Sequence, residues 1–552
     1  MYDPWNIAAS VILTIVIYIV LNALQPVPTR LPPGPGSNTN PREALKQAAE
    51  SNKGAWTVFN HWTRVYGPVF AFYLGRTPVI VLNRAYDAWD LLERRGDIYS
   101  SRPRLVMAHE ILSGGMRGLS MPYGTHWRKW RKIQHAGMGS RAARAYREHQ
   151  TLESTLVLCD LAKDPGNYAK SIQRFATSVV LSISYGRRAQ SLESEVVQAN
   201  YDALLDLPWL KCNAEQARLG GTLLNRRWPI LLWLPRFLQW FRPPFDRTRA
   251  RDTALYLSLL RSARARAVVG EGKPCMAASA GETIQHEGLG LNETEVAYAV
   301  SAPFGAGIDT TASSVEYFLL AALRHPMATR KAQAEIDRAV GRARLPTFAD
   351  ADAGNLPYLT AFIKEVERWR PVVPLAVPHA LTRDDVYAGY GLPRGSTVFA
   401  NIHAMTRDPK LFPKPEVFHP ERFLPTLVPY AGDGGVGKEK NAMREYLDPH
   451  LKDFTLPFGF GRRMCPGMHV ASQSMFILAA RILWTFDILP HPDDAANPNI
   501  LERTSALDDE ISLGLVRAPA PFRFELRVRH PDALKMVEAE AAEAELRLME
   551  WD

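Results

Sequence analysis

Cysteine is scarce. The 552 residues hold four, Cys159, Cys212, Cys275 and Cys465, with no C-x-x-C pair and no dense framework. That spacing argues against a disulfide scaffold and fits a reducing compartment. A plain buried or surface thiol is the expectation for Cys159, Cys212 and Cys275. Internal repeats are missing too. No zinc-finger, RNP or basic-zipper signature occurs, so nucleic acid is the weakest reading of the charge balance. Lys and Arg number 66 against 57 Asp and Glu, a net charge of +9. An anionic membrane face or an acidic protein partner suits that excess better. The composition, 46% hydrophobic and 22% charged, is globular, and the chain is long enough for a large core.

One apolar run stands at the N-terminus. Residues 7–24 are apolar except for Ser10, Thr14 and Asn22. About 18 residues at roughly 1.5 Å rise span ~27 Å, close to the ~30 Å of a hydrocarbon core. A cleaved signal peptide would show a basic n-region and a small-residue cleavage site. Here Asp3 and no cation precedes the run, and Gln25-Pro26-Val27-Pro28 follows it. The expectation is a retained transmembrane helix within residues 1–30, with Arg30 on the cytosolic side. Leu31-Pro32-Pro33-Gly34-Pro35-Gly36 cannot form a helix, so residues 31–40 are expected to be a stiff hinge.

Residues 41–530 read as one mainly helical body. Residues 69–74 and 78–82 alternate as a strand pair about the turn Gly75-Arg76-Thr77, and similar pairs are expected within 386–396 and 513–529. Residues 270–290 are rich in Gly, Ala and Ser and read as a loop between helices. Residues 431–440, with Gly432, Gly434, Gly435 and Gly437, read as a mobile excursion. Residues 207–245 mix Trp209, Trp228, Trp233, Phe237, Trp240, Phe241 and Phe245 with Arg226, Arg227, Arg236 and Arg242, a blend that suits either core or a membrane interface. Residues 531–552 form an acidic, helix-prone tail, expected as a solvated terminal helix with Asp532 as its N-cap.

The most specific signal is Phe458-Gly459-Phe460-Gly461-Arg462-Arg463-Met464-Cys465-Pro466-Gly467, a glycine-rich loop opening into the apolar run 468–483. A haem iron held by one thiolate needs such a loop. Gly461 and Gly467 let backbone approach a porphyrin. Main-chain N–H groups and the following helix N-terminus can hold Cys465 as an anion. Arg463 can pair with a haem propionate. The motif resembles the haem-binding loop of the cytochrome P-450 family, with Phe460 where small residues are common in that family.

Other motifs follow in the family's order. Phe304-Gly305-Ala306-Gly307-Ile308-Asp309-Thr310-Thr311 lies in an apolar stretch read as one helix over residues 293–324, about 155 residues before the cysteine. By itself it could be a small-residue packing face. It resembles the family's A/G-G-x-D/E-T motif, which implies that Asp309 and Thr310 deliver protons on the distal side. Ala306 and Gly307 would leave room there for oxygen and substrate. Pro303 departs from the pattern and is expected to sharpen a bend. Glu365 and Arg368, three apart on one helix face, resemble the family's Glu-x-x-Arg pair. With Arg422 of Pro420-Glu421-Arg422-Phe423 they would form a buried structural triad; the alternative is a surface ion pair worth little. Trp127 and Arg131 of W-x-x-x-R resemble the helix pair that contacts a haem propionate. Arg128, Lys129 and Lys132 are expected to face outward, with Arg462 nearby.

The resemblance covers residues ~1–530, and the stretch 362–379 looks most like fungal members of specialised metabolism. It implies the cytochrome P-450 fold, mainly α with small β-sheets, and a haem b whose iron is ligated by Cys465. It implies a monooxygenase at the endoplasmic reticulum membrane, its catalytic domain facing the cytosol. Electrons would come from NADPH through a flavoprotein reductase, and O2 would oxidise a lipophilic small molecule by hydroxylation, epoxidation or desaturation. A haem-thiolate isomerase or dehydratase working without a reductase, and a non-catalytic haem-binding protein, are the other classes. Retention of Asp309 and Thr310 speaks against the first of these. Substrate contacts are expected from residues 103–121, 207–245, 303–311, 372–377 and 506–515.

Overall fold

The computed structural model describes residues 30–36, 40–51, 54–205, 234–424, 453–495, 511–512 and 515–552. The expected anchor (7–24), the 431–440 excursion and most of 207–245 lie outside them. Among the described residues no helix is long and apolar enough to cross a membrane.

The architecture is mainly helical with small sheets. Its centre is the helix Ala302–Arg324, packed against Tyr168–Tyr185, Met468–Thr485 and Pro357–Trp369. These helices are buried over most of their circumference, so that even polar positions such as Ser178, Glu365 and Arg368 lie inside. The 69–82 hairpin forms with Leu74 opposite Thr77 and Gly75 at φ +67° in the turn. Its second strand, Thr77–Leu82, pairs in parallel with Thr397–Ala400, Val79 lying opposite Thr397. The expected pair in 386–396 is Asp385–Tyr387 with Tyr390–Leu392. The pair expected inside 513–529 is corrected. Phe524–Val528 pairs with Phe486–Pro490, directly after the helix Met468–Thr485, while Arg517–Ala518 meets Ile511–Ser512.

Three further expectations change in the fold. Residues 270–290 contain the helix Met276–His286, whose Met276, Ala277 and Ala280 are buried. The proline segment is docked on the body. Pro33 O accepts from Ala71 N at 2.9 Å, Arg30 O accepts from Gly391 N at 2.9 Å, and a Cβ at Gly34 would lie 1.7 Å from Ala71 O. The acidic tail is core. Its helix, Pro531–Leu548, is capped by extended His530 with Asp532 in the first turn. Helix and chain end bury Ala533, Val537, Ala541, Ala544, Leu548 and Trp551 against the helix Arg147–Lys163 and its neighbours. Trp551 packs at a tilt against His149, ring centroids 5.4 Å apart, and lies under Lys273 Nζ at 4.3 Å, and its carbonyl accepts from Arg188 N at 3.0 Å.

The single helix expected over 293–324 is two, Glu293–Val300 and Ala302–Arg324, joined at Ser301. Asn292 opens the first with a reciprocal cap, its Oδ1 accepting from Glu295 N at 2.9 Å and its N donating to Glu295 Oε2 at 2.8 Å. Pro303 sits in the first turn of the second, where a missing N–H is tolerated. The expected bend is thus an outright break.

Candidate active site

The cysteine loop is built from two short 3-10 turns, Leu456–Phe458 and Gly461–Arg463, leading into the helix Met468–Thr485. Cys465 N donates to Phe458 O at 2.9 Å and closes the loop. Gly461 has φ +51°, and a Cβ there would lie 2.6 Å from Leu92 O. Its close approach is therefore to the protein's own 89–94 turn. Gly467 has an ordinary φ of −89°, and a Cβ there would stand 4.0 Å from Cys465 Sγ. Phe460 is buried in a cluster with Trp89, Leu92 and Phe454, so the larger residue is absorbed by core and not by the site.

Cys465 is open to solvent-sized contact although protein surrounds it on a longer range, as befits the wall of an interior space. Burial pushes its thiol pKa up. The N–H groups of Gly467 and Met468 and the charge of Arg131 pull it down. The helix 302–324 has a similar open stripe, Gly305, Ala306 and Asp309, while Phe304, Ile308 and Ala312 are core. This helix packs on the one that follows Cys465. Thr310 Oγ1 donates to Ala306 O at 2.7 Å, one turn back. Gly307 does not face the open stripe: a Cβ there would lie 2.6 Å from Val180 Cγ1, so its smallness serves helix packing. Burial pushes the Asp309 carboxyl up, and burial with the neighbouring Asp309 charge pushes Glu316 up to about 7.

Trp127 and Arg131 lie on the helix Thr125–Met138. Trp127 is buried, and the Arg463 guanidinium stacks on its ring at 4.1 Å. Arg463 donates to the carbonyls of Ser100 (2.7 Å), Gly118 (3.3 Å) and Met121 (2.6 Å). Its guanidinium is thereby pinned by backbone, and Trp127 acts first on Arg463. Arg102, absent from the sequence reading, is buried beside them. It donates to Leu119 O at 3.1 Å, Val377 O at 2.7 Å and Pro378 O at 2.9 Å. Burial depresses the pKa of all three arginines, and Arg102 and Arg131 add repulsion at Arg463. None of the three has a carboxylate partner among the described residues, and Arg131 has no hydrogen-bond partner there at all. Three close guanidiniums without a counter-charge, beside an open thiol, fit a dianionic, thiolate-ligated porphyrin. A haem bound here supplies the redox chemistry of O2; the protein supplies Cys465 and this cationic wall.

The triad forms and is buried. Arg368 Nε and Nη2 donate to Glu365 Oε2 and Oε1 at 2.7 and 2.9 Å, and Arg422 Nε lies 3.0 Å from Oε2. Glu365 and Arg368 are both 0% exposed, which rules out the surface-pair alternative. Arg368 lies 5.8 Å over the ring of Phe412, which packs edge-on against Phe454 at 6.0 Å, and Phe454 shares its cluster with Phe460. The triad thus underpins the cysteine loop through aromatic rings.

Fold and site together define a haem-thiolate protein. The chain matches the cytochrome P-450 family model over residues 32–513. It is 36% identical over 511 residues to cytochrome P-450 monooxygenase 58 of Postia placenta, covering 92% of this chain and 90% of the relative. It is 32% identical to a cytochrome P-450 monooxygenase of Armillaria gallica, covering 98% of both. It is 34% identical to the monooxygenase aneD of Aspergillus aculeatus, covering 94% of this chain and 91% of the relative. A zebra fish cytochrome P-450 structure with abiraterone shares the fold at a TM-score of 0.63 and 21% identity, covering 86% of this chain and 99% of that one. The chain belongs to the cytochrome P-450 family, and it is a cytochrome P-450 monooxygenase.

Two site residues were missed in sequence. Arg102 carries no motif signal. Glu316 does: it lies seven residues beyond Asp309, hence on the same helix face.

Proposed function

We propose that the enzyme inserts oxygen from O2 into a lipophilic small molecule in fungal specialised metabolism, with NADPH electrons delivered by a flavoprotein reductase. The open Cys465 beside Arg131, which has no hydrogen-bond partner among the described residues, is the observation that carries the haem-thiolate chemistry. Asp309 and Thr310 hold the proton-delivery role: burial pushes the Asp309 carboxyl pKa up, toward easier protonation, and the Thr310 hydroxyl is oriented by Ala306 O. An apolar substrate is supported by the cluster of Val106, Met107 and Ile111 with Phe241 and Phe245.

The membrane role rests on two features. Residues 7–24 form an apolar run, and Phe237 and Trp240 stand 84% and 72% exposed beside Arg236 and Arg242. The enzyme then sits on the cytosolic face of the endoplasmic reticulum, where lipophilic molecules collect. For the reductase, Arg128 and Arg462 flank the Tyr123 ring at 5.9 and 5.2 Å and both are exposed, an acceptor face for an acidic partner. Lys132 contributes less, because Glu287 pairs with it at 2.5 Å.

The test is reconstitution with a reductase, following NADPH consumption and oxidised products in lipid extracts of the producing host. A Cys465→Ala control loses both, and turnover falls steeply with salt. Product formation without NADPH would overturn the monooxygenase cycle in favour of a reductase-free enzyme, and salt-independent reduction would remove the docking face.

A further inference from the structure

Pro303 has a consequence beyond the break at Ser301. A helical residue at 303 would donate its N–H to the carbonyl four residues back, that of Ala299, and proline has no N–H to give. Ala299 is buried, so water cannot replace the donor. The carbonyl is met instead from another helix. Gln134 Nε2 donates to Ala299 O at 2.6 Å, and Gln134 is 0% exposed. Gln134 lies on Thr125–Met138, seven residues after Trp127 and three after Arg131. Nε2 alone makes the link, and Oε1 has no hydrogen-bond partner among the described residues.

We propose that Gln134 is a positioning residue. It replaces the main-chain donor that Pro303 removes, and so ties the last turn of the helix Glu293–Val300, just before the junction into the helix bearing Asp309 and Thr310, to the helix bearing Trp127 and Arg131. The two walls of the site are then registered by a buried hydrogen bond. Beyond it, the helices Thr125–Met138 and Glu293–Val300 meet by packing and by the partly exposed His126 and Glu295, 3.6 Å apart, and packing sets distance better than it sets rotation. The proposal rests on the 302–324 helix being the distal wall of the oxygen-activating site.

A double-mutant cycle on the holoenzyme tests it, with Gln134→Met, Pro303→Ala and the pair. Methionine keeps the length of the side chain and removes its donor. Alanine at 303 restores the N–H that Ala299 O lacks. Hydrogen exchange of the 301–307 amides is the first readout and does not depend on the haem assignment. The second is the share of NADPH electrons released as peroxide, which rises when the distal wall is misplaced. The third, the spectrum of the reduced, carbon-monoxide-bound wild type, reports the thiolate assignment separately.

Q134M is expected to speed exchange about tenfold to a hundredfold and to raise the peroxide share. In the P303A background the same substitution changes exchange within about twofold and leaves the peroxide share where P303A set it. Equal effects of Q134M in both backgrounds, or no effect in wild type, overturn the proposal. If Q134M alone does not fold, folding of the double variant supports the link, and failure of both overturns it.

Discussion

Replacing Glu365 with glutamine separates a buried triad from an ordinary ion pair by the size of the effect. Four groups face this carboxylate, and all are donors. Oε1 accepts from Arg368 Nη2 at 2.9 Å and His419 N at 2.7 Å. Oε2 accepts from Arg368 Nε at 2.7 Å and lies 3.0 Å from Arg422 Nε. Glutamine keeps one carbonyl, so in either orientation its amide NH2 points at donors. It also leaves two guanidiniums in the core without a counter-charge. An exposed pair would lose about 0–1 kcal/mol. Removing one partner of a buried pair costs about 3–5 kcal/mol. Arg368 keeps Thr406 O at 3.0 Å, and Arg422 keeps Pro413 O and Val417 O at 3.2 and 3.1 Å, which favours the lower end. The expected loss is ~3 kcal/mol. Urea unfolding of wild type and variant reads it as a lower midpoint at unchanged slope. A loss below ~1 kcal/mol would mean that the triad is no more than a surface-type pair and would refute its support of the cysteine loop.

The two arginines of the cationic wall are expected to part company. Arg131→Gln leaves unfolding stability within about 0.5 kcal/mol, since nothing in the described protein bonds it, yet haem transfers faster to a scavenging protein. Arg463→Gln also orphans buried carbonyls and loses stability by ~1–3 kcal/mol; equal behaviour of the two would refute the division. Trp551→Ala, at 5% exposure and packed against His149, costs ~3 kcal/mol in urea unfolding, and a neutral result would return the tail to solvent. Glu316 titrates near 7 in the fold against 4.5 ordinarily, so the folded state holds more protons between those values and loses stability as pH rises through that window. Glu316→Gln is therefore expected to gain on wild type from pH 4.5 to 7 and to run parallel to it below; a constant offset across the series would refute the shift.

The parts of the site that were legible in sequence are those where chemistry demands residue types at short spacing. Cys465 with its N–H donors, Thr310 one turn from Ala306, and the Glu365–Arg368 pair all lie within a few residues of their partners. Gly461 and Gly307 show the limit of that reading. Both were assigned to room for cofactor, oxygen or substrate, whereas Leu92 O and Val180, distant in the chain, are what their missing side chains make way for. Arg102 was invisible because its partners are carbonyls, which leave no mark in a sequence. The tail was misread for a related reason. Its Ala and Glu pattern marks a helix, but whether a small apolar stripe is buried depends on the face that meets it, here the helix 147–163.

Sequence alone determined the family, the cysteine loop, the Asp309–Thr310 pair and the order of the parts, because local periodicity and motif spacing are properties of the chain. Tertiary structure decided how charge is distributed and how the walls are joined. Three guanidiniums converge without a carboxylate among the described residues, Glu365 gathers four donors, and Gln134 answers for Pro303 from another helix. Each of these is a matter of satisfying buried polar groups at a distance. Burial makes an unmet donor or acceptor costly, and only the packed fold says which groups are buried and who stands next to them.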